Sequence, residues 1–232
     1  TRDAISIDWS YKDRPVKLWD TAGMRKRSRV TGKLEKLAVA DALRAVQFAE
    51  VVVLLLDATI ALEKQDLSLA DHVAREGRAI VIAINKWDLI KDKQAARREL
   101  DLEIARLLPQ LAGVEVVTLS AKTGQGLKGL MPAVMKAYDI WNRRISTAKL
   151  NQWLAFQVER HPPPAPGGRR IKLRYITQVR ARPPSFAVFC SRPTDVPDSY
   201  KRYLINGLRE DFGLTGVPLR IHLRKGKNPY AD

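Results

Sequence analysis

The chain has 232 residues, 45% of them hydrophobic and 28% charged, the balance of a soluble globular protein with room for one large domain or two ordinary ones. No apolar run approaches the roughly eighteen residues of a membrane span, and the start carries no signal-peptide pattern. The single cysteine, Cys190, excludes an internal disulfide and fits a reducing cytoplasm; with three scattered histidines, it also argues against a zinc site.

The formal charge of +16 is unevenly spread. Residues 1–140 carry 23 Lys+Arg against 19 Asp+Glu, a net of +4, whereas residues 141–232 carry 18 against 6, a net of +12. A half that basic points to a polyanionic partner, with nucleic acid ahead of membrane because no basic amphipathic helix stands out. The bland alternative is a solvated basic surface.

In chain order, residues 4–11 alternate, with Ile5, Ile7, Trp9 and Tyr11 on one side, and predict a half-buried strand. A turn at Asp13-Arg14 and the run Val16-Lys17-Leu18-Trp19 make it a hairpin. That second strand ends in Asp20-Thr21-Ala22-Gly23. An Asp at such a strand end can hold Mg²⁺ through water, and a Gly N–H can meet a terminal phosphate because no side chain blocks the approach. The basic stretch Met24-Arg25-Lys26-Arg27-Ser28-Arg29 follows, and 35–49 has the apolar face of an amphipathic helix.

Val51 to Leu56 is an apolar strand ending at Asp57, 65–76 reads as a helix stopped by Gly77, and Ala79 to Ile84 is a second apolar strand. It delivers Asn85-Lys86-Trp87-Asp88 at its carboxyl end, where open α/β sheets bind ligands. The chemistry of Asn-Lys-x-Asp suits guanine. The carboxylate accepts from N1–H and the N2 amino group together, a pair that adenine lacks. The Lys stem can lie along the base plane, and the Asn can tie neighbouring loops. A helix over 92–108 and a strand over 115–119 lead to Ser120-Ala121-Lys122, whose Ala N–H can donate to guanine O6. Gly124 and Gly126 turn the chain into a helix over 127–142. Strands alternating with helices of this length predict a parallel sheet covered on both faces.

From about residue 145 the pattern becomes α-β-β-α-β. It has a helix over 149–159, a Pro/Gly loop over 161–168, strands over 171–179 and 186–190, a helix over 198–212, a strand over 219–223 and a basic tail from Arg224. Gly213-Leu214-Thr215-Gly216 matches the Gly-x-x-Gly clamp of KH domains, but that clamp joins two helices and this one joins a helix to a strand. Structural punctuation is the better reading, with Gly213 as a helix C-cap.

The three strand-end motifs, in this order, resemble the Ras-like P-loop GTPases. Thr1-Arg2-Asp3-Ala4, Asp-Thr-Ala-Gly-Met-Arg-Lys, Asn-Lys-Trp-Asp, Tyr175-Ile176-Thr177-Gln178-Val179 and Pro183-Pro184-Ser185-Phe186-Ala187-Val188-Phe189 resemble, more narrowly, the Der (EngA) family of bacterial double-GTPases of ribosome assembly. The likeness covers the whole chain. It implies a second GTPase domain over 1–145 and a KH-like domain over 146–232, acting in the cytoplasm as a monomer on the large (50S) ribosomal subunit and its rRNA. GTP or GDP would contact Asp20, Thr21, Ala22, Gly23, Met24, Asn85, Lys86, Trp87, Asp88, Ser120, Ala121 and Lys122. Thr1 would reach Mg²⁺ in the GTP state, with Asp20 holding it through water. Met24 stands where many GTPases have a water-orienting Gln, which a thioether cannot replace. Hydrolysis then relies on other groups, with K⁺ a candidate cofactor, and no residue is assigned as catalytic.

No Gly-x-x-x-x-Gly-Lys-[Ser/Thr] loop occurs in the chain. The strand leading into that loop is central to Ras-like sheets, so its lack predicts a gap in the core. The 232 residues are therefore expected to be the downstream part of a longer polypeptide that carries a first GTPase domain, and to hydrolyse no GTP alone. Contact with rRNA is expected from Arg169, Arg170, Lys172, Arg174, Arg180, Arg182, Arg224, Lys225 and Lys227. The rival reading is a nucleotide-independent RNA- or ribosome-binding scaffold with a decayed GTPase domain.

Overall fold

The computed structural model describes residues 6–19 and 46–226. Strands β1 (Ser6–Tyr11) and β2 (Arg14–Trp19) form the expected antiparallel hairpin. Lys12 and Asp13 make its two-residue loop, both at positive φ (49° and 63°), the geometry that matches the twist of the flanking strands.

The main sheet has three parallel strands in the order β3 (Val51–Asp57), β4 (Ala79–Asn85) and β5 (Glu115–Thr118). β4 is the middle strand, and its first six residues are fully buried. Alternation sends Ile80, Ile82 and Ile84 to one face, where they meet Ala70 and Val73 of α1 (Lys64–Glu76) and Ile104 of α2 (Lys93–Leu107). Ala79 and Val81 face Ala133, Ala137, Ile140 and Trp141 of α3 (Leu130–Trp141). Each isoleucine buried here contributes about 1.5–3 kcal/mol of transfer free energy. Gly77 ends α1 in the left-handed conformation, and the Asp92 carboxylate caps α2 by accepting from the Ala95 N–H at 2.9 Å.

β3 is an edge strand among the described residues, and the hairpin does not pair with it. Val53 and Leu55 on β3 are 39% and 58% exposed.

The second unit comprises α4 (Thr147–Arg160), β6 (Leu173–Arg180), β7 (Ser185–Cys190), α5 (Asp198–Phe212) and β8 (Arg220–Lys225), the predicted α-β-β-α-β order. β7 lies between an antiparallel β6 and a parallel β8. The free edge of β6 is satisfied by Asn151 of α4, whose Nδ2 donates to Ile176 O and whose Oδ1 accepts from Ile176 N–H. Arg224 and Lys225, read from sequence as a tail, belong to β8 because pairing continues to Cys190↔Lys225. β6 begins two residues after the expected start, where its pairing opens at Leu173↔Cys190.

The two units share one core, in which Ala79, Val81 and Trp141 join Leu150, Phe186, Leu204 and Leu214. Polar contacts reinforce the junction. Arg220 Nη2 donates to Arg75 O (2.6 Å), Arg182 pairs with Glu50 (2.9 Å), and Gly216 N–H donates to Ala112 O (2.8 Å). Arg209 is 6% exposed, and its guanidinium donates to the carbonyls of Pro109 and Gln110. Burial lowers its pKa, yet a guanidinium stays charged in proteins, so those carbonyls carry its solvation. Glu50, Gly77 and Val114 precede β3, β4 and β5, so the second unit docks at the amino ends of the strands. Gly213-Leu214-Thr215-Gly216 is part of that junction. Gly213 caps α5 at φ 61°, and a Cβ on Gly216 would sit 2.6 Å from Gly113 O.

Candidate functional site

The carboxyl ends of β3, β4 and β5 bring together residues that are far apart in sequence. Register pairs Asp57 with Asn85, so the side chains beyond the two strands emerge beside each other. Asn85 Oδ1 accepts from its neighbour Lys86 N–H at 2.8 Å and from Ala121 N–H at 2.9 Å, which ties the β4 loop to the β5 loop. Two backbone bonds repeat the tie: Trp87 N–H donates to Leu119 O (3.0 Å), and Leu119 N–H donates to Ile84 O (2.8 Å). The loop-bridging role anticipated for Asn85 is therefore met. A guanine O6 at Ala121 would share that N–H with Asn85.

Lys86 sits at φ 61°, ψ 31°, a left-handed residue between β4 and the short helix Trp87–Leu89. Its Nζ lies 2.5 Å from Asp57 Oδ2, so the ammonium is anchored on the neighbouring strand and the stem spans the groove between the two strand ends. Asp57 is further held by the Thr59 N–H (3.0 Å) and hydroxyl (2.8 Å). The Lys86 hydrogen bond first, and the two Thr59 bonds after it, depress the Asp57 carboxyl to about 2.

Asp88 is partly exposed, and the buried Ser120 hydroxyl holds its carboxyl below the usual carboxylate range, with the Lys122 and Lys93 charges adding to the effect. Ser120 is in turn fixed by a tight turn. Its N–H donates to Gln125 O (2.8 Å), its carbonyl accepts from Gly124 N–H (2.9 Å), and its Oγ accepts from Thr123 N–H (3.2 Å). Gly126 closes that turn at φ 76°, where a Cβ would collide with the Thr118 carbonyl. The result is a carboxylate whose pKa is lowered by the buried serine, beside an anchored lysine and a tied pair of loops. Such a carboxylate can accept two hydrogen bonds from the edge of a planar base.

Trp87 differs from its neighbours in the tetrapeptide. It is 5% exposed and packs in the core with Ile84 and Ile104, so it wedges the loop from beneath. Lys122 is exposed. Thr1, Asp20, Thr21, Ala22, Gly23 and Met24 lie outside the described residues, as does Lys227. Of the basic candidates, Arg169, Arg170, Lys172, Arg174, Arg180, Arg224 and Lys225 are exposed on the second unit. Arg182 is committed to Glu50 and lies over the Trp141 ring, 5.9 Å from its centroid. Asp57 and Thr59 were missed by the sequence reading. The available signal was an Asp at a strand end in line with Asn85.

A parallel sheet with helices on both faces, polar loops tied together at its carboxyl ends and an α+β unit behind it is the architecture of a Ras-like P-loop GTPase domain followed by a KH-like domain. The family model described as 50S ribosome-binding GTPase matches residues 1–86, and that described as the KH-domain-like C-terminal part of EngA bacterial GTPase enzymes matches 144–224. GTPase Der of Parvibaculum lavamentivorans is 60% identical over 232 residues, covering 100% of this chain and 49% of that protein. GTPase Der of Brucella anthropi is 58% identical over 231 residues, covering 100% of this chain and 48% of that protein. The chain belongs to the Der (EngA) family of GTPases. It spans about half the length of the curated relatives it matches.

Proposed function

We propose that the chain is the downstream part of a cytoplasmic, monomeric GTP-binding and GTP-hydrolysing switch that assists assembly of the large (50S) ribosomal subunit. In this reading, residues 1–145 form its second GTPase domain and 146–232 its KH-like domain, with a first GTPase domain upstream in the same polypeptide. The observation that carries the nucleotide part is the convergence of the Asp57–Lys86 and Asn85–Ala121 contacts at three adjacent strand ends, with the Asp88 carboxyl lowered beside the buried Ser120. Asp88 accepts from guanine N1–H and N2, and Lys86 lies against the base plane. Mg²⁺, when bound, neutralises phosphate charge. Thr1 and Asp20, its expected partners, lie outside the described residues. Potassium is the further cofactor candidate, since Met24 cannot orient water. The ribosomal part is supported by family membership and by the basic second half, with Arg169, Arg170, Lys172, Arg174, Arg180, Arg224 and Lys225 presented to rRNA.

The rival reading, an RNA- or ribosome-binding scaffold with a decayed GTPase domain, draws on the lack of a phosphate loop within these residues. The intact base-reading constellation speaks against it. The experiment is GTP turnover and 50S co-sedimentation by the full-length protein, with the 232 residues alone as the expected inactive control. Turnover by the isolated 232 residues, or subunit binding that is flat from low to moderate salt, overturns the respective part of the proposal.

A further inference from the structure

The sheet of the second unit has one face packed on the shared core; the other is open at Tyr175, His222 and Arg224, while Ala187 at its centre is fully buried. Ile176, Val188 and Leu223 form one cross-strand row toward the core, and Gln178, Phe186 and Ile221 form the next. On the opposite face, register aligns Tyr175, Phe189 and Arg224 in one row and Thr177, Ala187 and His222 in the next. Tyr175 is 42% exposed, Phe189 is half-buried, and their ring centroids are 5.9 Å apart with planes inclined by 51°. Arg224 and His222 are exposed beside them, and Arg174 and Arg180 are exposed along the outer strand.

The charge around these rings is of one sign. The three strands hold Arg174, Arg180, Arg220, Arg224 and Lys225 and no Asp or Glu. Among the described residues, no ion pair involves Arg174, Arg180, Arg224 or Lys225, nor Arg169, Arg170 or Lys172 on the approach to β6. Arg220 alone of the five is spent elsewhere, on the Arg75 carbonyl. Unpaired cations call for phosphates. Phosphates alone, however, give no use for an exposed tyrosine ring beside a half-buried phenylalanine ring, which offer flat faces to flat bases.

We infer that this sheet face is a stacking platform for single-stranded RNA, with Tyr175 and Phe189 each taking a base and Arg174, Arg180 and Arg224 holding the flanking phosphates. The inference rests on the RNA-contact reading above and adds what kind of RNA is held and by which side chains. Single strands rather than duplex are specified because only unpaired bases expose a face to a protein ring. In Gly213-Leu214-Thr215-Gly216, Leu214 and Gly216 are buried and the Gly216 N–H is committed to Ala112 O, which leaves the clamp mode unavailable, so stacking on the sheet replaces it. An ordinary cross-strand aromatic pair would steady the sheet by about 0.2–1 kcal/mol and have no dependence on bases. The two roles are therefore separable.

The test is fluorescence anisotropy on the full-length protein with a labelled twelve-nucleotide oligouridylate and a matched abasic ribose-phosphate oligomer. Wild type is expected to bind the base-bearing oligomer about five- to a hundredfold more tightly than the abasic one. Tyr175→Ala narrows that difference to the part Phe189 holds and leaves the abasic affinity unchanged, while Tyr175→Phe restores it. Tyr175→Leu, which keeps apolar packing but lacks a π-face, behaves as the alanine variant and covers the case in which alanine unsettles the sheet. Equal binding of both oligomers by wild type, or base-dependent binding that ignores Tyr175, overturns the inference. Polyglutamate binding as tightly as oligouridylate also overturns it, in favour of an acidic protein partner. Salt-dependent binding that ignores Tyr175 leaves the broader RNA reading standing; loss of all salt-dependent binding removes both.

Discussion

Replacing Asp88 by Asn exchanges one of two acceptor oxygens for a donor while preserving shape. Against guanine, the carboxylate accepts from N1–H and the N2 amino group. The amide keeps one acceptor for N1–H and sets its own NH₂ against the base's NH₂. Hydrogen bonds to charged groups contribute about 1.5–3 kcal/mol each. Losing one and weakening the other, at a half-exposed site, costs about 2–4 kcal/mol, or roughly 30- to 1,000-fold in affinity. Xanthine carries O2 where guanine has N2, so it pairs the amide correctly and the preference inverts. The surrounding geometry should survive, because Ser120 is held by its own turn and Asn85 by Ala121. Equilibrium binding of fluorescent guanine and xanthine diphosphates to full-length protein reads the result as stoichiometry. The variant loses one guanine site and gains one xanthine site. A folded variant that binds guanine nucleotide with unchanged stoichiometry and affinity, and no xanthine nucleotide, refutes the assignment of Asp88 to the base.

Asp57 is expected to titrate near 2 by carboxyl-carbon NMR, against an ordinary value of 3.8, and to return toward that value in Lys86→Met. Because the folded pKa is the lower one, its contribution is present above about pH 4 and lost only as pH falls toward 2, so a midpoint near 3.8 in wild type would mean that Lys86 is not anchored. Gly216→Ala should lower the denaturant midpoint more than Gly124→Ala. Both glycines have positive φ, costing about 1–2 kcal/mol for alanine, but only Gly216 would drive a Cβ to 2.6 Å from a backbone oxygen, whereas Gly124 has nothing within 4 Å. Equal losses would place no weight on the Gly113 contact. Cys190 is 1% exposed and burial pushes its thiol pKa up, so footprinting with a thiol reagent at pH 8 should label it only as the second unit unfolds. Rapid labelling of the native protein would contradict its place in the core.

β3 and β4 were legible because they are short, apolar up to their last residue and punctuated. Ile80, Ile82 and Ile84 alternate with small or branched residues, as a strand between two helical layers requires. The helix–strand order of the second unit was equally readable, and so was the structural use of Gly213, whose place between helix and strand excluded a clamp. Three things were hidden for one reason. The Asp57–Lys86 pair depends on the parallel register of β3 and β4, which no local pattern encodes. Arg182, expected to face rRNA, is spent on the junction between the units, as is Arg209. Trp87 occupies the free position of its tetrapeptide, and only the core packing beneath the loop shows that it faces inward.

β4 touches both ends of the first unit. Its first residue, Ala79, belongs to the core shared with the KH-like unit, and its last, Asn85, ties the loops beyond β4 and β5. The six steps between them span about 20 Å of extended chain. The loops beyond β4 and the KH-like unit are thus mounted on a common strut, and a swing of one against the other would have to break the core that Ala79, Val81 and Trp141 share with Phe186 and Leu204.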